Sequence, residues 1–228
     1  MSLKGTAFLA MWHDIAAEGE REYNIWHTRE HMPERVGSPG FEVGRRYVDW
    51  NLTKYRYFTF YEGAALSTFN SAPYLERLNA PTEGSQRVQP YFLNFIRAAA
   101  RIVVSTGHGL GGALLIARVD FTPAGKSAFI ASLTDIADGL IGLDGVTGVH
   151  IGVVDPEVTS TKTAETELKK DAGESVFDAT VLVEGIGRRE LEAVLNCVRD
   201  LLTPNRGIKH SEIAIYDLAY VLTSQESA

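Results

Sequence analysis

A single cysteine, Cys197, stands among the 228 residues, so no disulfide can form within the chain. Folds that depend on oxidised staples carry cysteines in pairs. The lone thiol instead fits a reducing, cytoplasmic setting. Long apolar runs are missing too. Nothing approaches the roughly 18 consecutive apolar residues of a membrane-spanning helix, which excludes a membrane partner of that kind. The opening MSLKGTAFLAMWHD is too short in apolar residues for a secretory leader, and Trp12 and His13 interrupt it. Basic residues are the minority: 22 Lys and Arg against 29 Asp and Glu, a formal charge of −7 with no basic block. Electrostatic nucleic-acid binding needs a basic face, so nucleic acid is not an expected partner. Asn51-Leu52-Thr53 matches a glycosylation sequon, but without secretion it reads as chance.

Core-forming residues are abundant. Hydrophobic types make up 45% of the chain and aromatics 10%, which places it among folded globular proteins and not disordered ones. Their spacing reads as one pattern written twice. Thr6 to Trp12 is a strand, Ile15 to Met32 a helix, and Phe41 to Trp50 and Tyr55 to Tyr61 are strands. Ala64 to Leu78 is a helix that Pro73 must bend or split, and Phe92 to Val104 is a strand. The second copy repeats this order. Ala113 to Val119 is a strand. Pro123 to Ile141 is a helix with Thr122 as its N-cap. Val146 to Val154 and Val176 to Val183 are strands, Arg188 to Leu202 a strongly amphipathic helix, and Ile213 to Leu222 a strand. Local echoes, YEGAAL at Tyr61 against VEGIGR at Val183, support a tandem duplication.

Each copy is therefore β-α-β-β-α-β, the split βαβ of ferredoxin-like folds. The expected class is α+β: two tandem ferredoxin-like units, 1–106 and 107–228, whose antiparallel sheets pack into an α/β barrel. The first unit carries the candidate site and the second is its structural partner. A sheet with helices on one face must bury the other, and an exposed sheet edge would invite a homodimer. Pro156 to Glu174 is too long and polar for a tight hairpin and reads as an excursion or lid. Gly107 to Gly112 fits G-x-G-x-x-G by letter. A strand follows it where a dinucleotide site needs a helix, so it reads as a linker. Cys197 reads as an inert packing residue.

The chemistry concentrates in NIWHTREHMPER, Asn24 to Arg35. On a helical wheel, Ile25, Met32 and Val36 gather on a core side. Tyr23, Trp26, His27, Glu30, His31 and Glu34 gather on the other. Pro33 pushes Met32 away from helical geometry. Three readings stay open. The polar face is solvated; or it lines a pocket where an imidazole acts as general acid or base; or His27 and His31 hold a metal, for which the spacing alone is weak.

A first strand, then a helix carrying W-H-x-x-x-H-M-P, then two strands and a helix, resembles the dimeric α/β-barrel superfamily. The likeness is to its EthD-like members, through Trp26, His31 and Pro33, over residues 5–104. That resemblance implies a ferredoxin-like barrel with a small hydrophobic pocket. It also implies functions that include cofactor-free monooxygenases, isomerases, cyclases, dehydratases and haem-binding proteins. Fold alone does not choose among them. The expected function is a cofactor-independent enzyme acting on a small apolar carbonyl- or hydroxyl-bearing molecule. His31 is acid/base, His27 or Glu30 orients it, and Trp26, Tyr23, His13, Tyr57 and Tyr61 shape the cavity. No metal is expected, and haem at His27 or His31 is the minor variant. The alternative is a non-catalytic ligand-binding or haem-binding barrel.

Overall fold

The computed structural model describes residues 3–169 and 177–226. Eight strands form one antiparallel sheet: β1 (Ala7–Ile15), β2 (Phe41–Val48), β3 (Tyr57–Gly63), β4 (Phe92–Gly107), β5 (Ala113–Phe121), β6 (Val146–Val154), β7 (Ala179–Gly185) and β8 (Ile208–Thr223). Their order, β1-β3-β2-β8-β5-β7-β6-β4, closes into a barrel. Within each half the order is fourth, first, third, second, as a β-α-β-β-α-β chain requires. The fold is α+β, as the periodicity predicts.

Contacts divide the chain into two units: residues 4–99, 155–175 and 219–228 in one, and 1–3, 100–154 and 176–218 in the other. In the second, alternate residues of β5 and β7 (Leu115, Ala117, Val181, Val183) pack beneath α6 (Leu133–Ile141) and α9 (Arg188–Leu201). The helices meet them through Ile136, Leu140, Leu191 and Val198, all fully buried. Each such side chain contributes about 1.5–3 kcal/mol of burial.

In the first unit the two faces of the strands differ. Phe8, Trp12, Phe58 and Phe60 share one face, with ring centroids 5.0 Å apart for Phe8–Phe60 and 4.9 Å for Trp12–Phe58. The other face carries Ala7, Leu9, Met11, His13, Tyr57, Thr59 and Tyr61, by strict alternation. Asp14 accepts hydrogen bonds from the backbone N–H of Tyr55 (2.8 Å) and Arg56 (2.9 Å), which anchors the start of β3 against the end of β1.

Several elements depart from the sequence reading. The helix expected over 123–141 is two: α5 (Gly125–Ala131) and α6, broken at Ser132. Thr122 does not cap it. The helix begins only at Gly125, where a Cβ would stand 2.0 Å from the carbonyl oxygen of Gly207, so backbones crowd at the expected first turn. Pro73 does divide its segment, into a 3-10 turn (Leu66–Asn70) and α3 (Ala72–Asn79). A further helix, α4 (Glu83–Val88), is capped by Thr82, whose hydroxyl accepts from Ser85 N–H. Gly107 to Gly112 joins β4 to β5, with no helix. Of the excursion at Pro156 to Glu174, residues up to 169 are described and the rest lie outside. The described part forms two short helical turns, α7 (Pro156–Thr159) and α8 (Ala164–Glu167), and belongs to the first unit. Cys197 is exposed, not packed.

The two buried Glu-Gly echoes occupy matching positions. Glu62 accepts from Lys4 N–H (2.7 Å) and from Arg45 (2.6 Å). Glu184 accepts from Gly111 N–H (2.9 Å) and stands 3.3 Å from His150. A register shift precedes each, at Phe41/Val43 and Val146/Gly148.

Candidate active site

The site is built on the first helical segment. α1 (Glu20–Trp26) runs into a π turn (His27–His31), and α2 (Met32–Val36) follows. Pro33 explains the wide turn. It has no N–H to donate one turn back, and the chain compensates with a longer loop, in which Met32 N–H bonds to His27 O five residues earlier. Met32 itself stays helical (φ −63°, ψ −47°), so the expected departure at Pro33 falls on the turn before it. The π turn also shifts the helical phase. Met32 and Val36 are buried as expected, but Ile25 is 44% exposed.

That phase brings His27 and His31 onto one face, with ring centroids 5.6 Å apart. They look onto the polar-tipped face of β1 and β3. A cavity opens there, lined by Met11, His13, His27, His31 and Thr59, and closed by Gln89, Phe92, Phe95, Glu165 and Lys169. Its volume for the centres of water-sized molecules is about 30 Å³. That is room for about two waters.

Each imidazole is buried and held uncharged. Burial pushes the His13 pKa down to about 3, helped by the positive charges of Lys169 and Arg46. Burial also drives His31 well below the usual histidine value, with Arg35, Lys169 and His13 adding to it. His27 falls likewise, first by burial, then by His31 and Arg46. His13 Nε2 meets Tyr23 Oη at 3.0 Å, and His27 Nε2 meets Thr59 Oγ1 at 3.5 Å. The Nδ1 atoms of all three rings are buried without a hydrogen-bond partner.

The remaining sequence-predicted residues divide. Trp26 packs on His31, ring centroids 4.3 Å apart, and Tyr23 holds His13, so both support the imidazoles from behind. Tyr57 stacks on His13 at 5.5 Å and 12° but spends its hydroxyl on Glu20. Tyr61 is buried near Phe41, outside the cavity lining, with its hydroxyl unpartnered. Glu30 does not orient His31. The π turn sends it to the far side, where it accepts from Thr82 Oγ1 at 2.5 Å and crowds Gly84.

Four polar residues escape the sequence reading. Arg35, one turn beyond His31, donates to Glu165 on α8, and both are buried. Gln89 donates to the other oxygen of that carboxylate at 3.0 Å. Lys169 lies 3.9 Å from it, with Nζ 4.6 Å from the Phe95 ring centroid and 5.5 Å from that of Phe92. Burial lowers the Lys169 pKa to about 8, against the pull of Glu165. The only local signal was the i, i+4 spacing of Glu165 and Lys169 in a stretch that looks solvated. Among the described residues, no group of three or more His, Cys, Asp or Glu is placed to hold a metal ion. No helix among them is long and apolar enough to cross a membrane.

Neither a family model nor a curated protein matches the chain. Solved structures do, at the level of fold. An anthrone oxidase-like protein aligns over 100% of this chain and 98% of its own at 11% identity and TM-score 0.66. A protein from Fusobacterium nucleatum subsp. nucleatum, named provisionally as a monooxygenase, aligns over 97% and 96% at 10% identity and TM-score 0.60. A variant of chlorite dismutase from Candidatus Nitrospira defluvii aligns over 95% and 92% at 7% identity and TM-score 0.59. The chain therefore shares the α+β barrel fold of these proteins.

Proposed function

We propose that this chain is an enzyme of the oxygenase kind, working without a bound cofactor on a small carbonyl- or hydroxyl-bearing molecule, with His31 as general base. The observation that carries the reading is the cavity lined by three uncharged imidazoles and a lysine. An uncharged imidazole can accept a proton at neutral pH. Its pKa, depressed first by burial, makes it a weak base in the empty site, but the cations Arg35 and Lys169 that add to the depression act in the opposite sense on an enolate. Arg35 and Lys169 stabilise the negative charge as it forms on the substrate oxygen. The substrate that suits such a site is a carbon acid whose anion is delocalised onto oxygen. Reaction of the enolate with dioxygen then turns a methylene into a carbonyl, consuming one O2 and releasing one water.

The names of the fold neighbours are consistent with oxygenase chemistry. The EthD-like part of the reading rests on Trp26, His31 and Pro33 alone. A haem or metal ion at His27 or His31 fits these residues poorly. The cations Arg35 and Lys169 beside His31 oppose a further positive charge there. The test is oxygen uptake over a panel of 1,3-dicarbonyl and phenolic compounds. Uptake by wild type that His31→Ala abolishes supports the reading. Absence of uptake across the panel, or equal uptake by both proteins, contradicts it.

A further inference from the structure

Beside the three imidazoles the cavity ends in a cluster of opposite character. The Glu165 carboxylate sits there 5% exposed. One oxygen accepts from Arg35, and the other from Gln89 at 3.0 Å, with Lys169 Nζ at 3.9 Å. Arg97 on β4 adds a third positive charge within electrostatic reach of both Glu165 and Lys169. Its Nε and Nη2 are buried and make no hydrogen bond. Glu34, 3.2 Å from Arg35 and 19% exposed, is the second carboxylate nearby. Three cations thus face two carboxylates, one of them at the rim, and buried guanidinium donors remain unused. Buried charge of one sign without an equal partner is costly, and buried donors are normally satisfied.

Glu165 itself arrives on a single helical turn, α8, inserted after β6. It reaches Arg35 from 130 positions away in sequence. We propose that this cluster is a carboxylate-binding subsite, that Glu165 fills it in the empty protein as an internal stand-in, and that the substrate is a small carboxylic acid whose own carboxylate displaces Glu165 onto the solvent side. The acidic carbon then follows from helix geometry. His31 and Arg35 are one turn apart, about 6 Å between their Cβ atoms. An acid whose acidic carbon lies one or two bonds from its carboxylate is compact enough to meet both residues of that turn, so the class proposed is a 3-oxo acid or an aryl-substituted acetic acid. Displacement also solves the volume problem. A cavity of about 30 Å³ holds no such molecule, but removing the Glu165 side chain enlarges it where the new carboxylate goes.

The role of His31 here rests on the function proposed above; the subsite does not. The probes are two acid–amide pairs of nearly equal shape: benzoate with benzamide, and acetoacetate with acetoacetamide. Thermal shift and calorimetry are run on wild type, Glu165→Gln, and Glu165→Gln combined with Arg97→Met. In Glu165→Gln, benzoate is expected to bind at least 10-fold tighter than to wild type and to raise the melting temperature more than benzamide does. Adding Arg97→Met is expected to remove that preference. If Glu165→Gln does not fold, Arg97→Met alone serves, and must lose the preference for acid over amide that wild type shows. Equal shifts from acid and amide in wild type and Glu165→Gln overturn the subsite, as does a preference that survives Arg97→Met. His31-dependent turnover of neutral ketones, with acids bound no better than amides, sinks the subsite and leaves the proposed function standing. Preferential binding of acids with no turnover does the reverse.

Discussion

Arg35 donates a hydrogen bond to Glu165 across 130 positions of sequence, and both side chains are buried. The pair fastens the α7–α8 segment over the helix that carries His31. It also decides which charges the imidazoles feel.

Removing Arg35 alone leaves the carboxylate of Glu165 buried without its main partner. Arg35→Met is expected to destabilise the protein by about 3–5 kcal/mol. Arg35→Met with Glu165→Leu is expected to cost less than the sum of the two single substitutions, since neither member of the pair is left facing the place of the other. Urea unfolding of both variants and of Glu165→Leu closes the cycle. A double variant as unstable as the sum of the singles would mean the pair is not coupled.

Acid lowers stability through the three imidazoles. His13, His27 and His31 are uncharged in the fold, with pKa values pushed below 6.5. In the unfolded chain they titrate near 6.5. Below that pH the unfolded state binds protons that the folded state does not, so stability is full above about pH 6.5 and falls as pH drops, toward about 3 for His13. Each group adds a slope of about 1.4 kcal/mol per pH unit. Urea midpoints between pH 5 and 7.5 are expected to fall with acid, and less steeply in His31→Gln. A slope unchanged by that substitution would show that His31 is solvated.

Lys169 depresses His31 and His13 by charge alone. Lys169→Met is therefore expected to raise both pKa values. Imidazole NMR titration of wild type and variant reads this directly. A downward shift, or none, would place the ammonium away from the rings.

The helix that presents His31 is seated on Gly44 of β2. A Cβ there would stand 2.4 Å from Met32 Sδ and 2.8 Å from Val36 Cγ2. Gly44→Ala is expected to cost about 1–3 kcal/mol by overpacking and to displace α2. Chemical denaturation tests the first part, and His31-dependent activity or ligand binding the second. A neutral substitution would mean the helix yields freely.

The eight strands and the last helix were legible because strands alternate and helices repeat at three to four residues, as in Leu191, Val194 and Val198; the number of helices was not, since three of the four expected segments are divided and α4 was not foreseen. The clustering of His27 with His31 was legible for the same reason. The orientations of Ile25 and Glu30 were not. An ideal wheel assumes 100° per residue, and Pro33 imposes a π turn that breaks it. The break at Ser132 was hidden because apolar residues continue on both sides of it. Glu165 and Lys169 look like solvated polar residues, since their burial depends on Arg35, Arg97 and two phenylalanines elsewhere in the chain.

The central claim is that an uncharged His31 takes a proton from a carbon acid in the cavity. Proton NMR of 1,3-dicarbonyl compounds and 3-oxo acids in D2O measures that step before any later chemistry. The account predicts loss of the α-proton signal catalysed by wild type at pH 7 and reduced at least 100-fold in His31→Ala. Exchange at the same rate in both proteins, or no exchange above the uncatalysed rate for any compound, would contradict it.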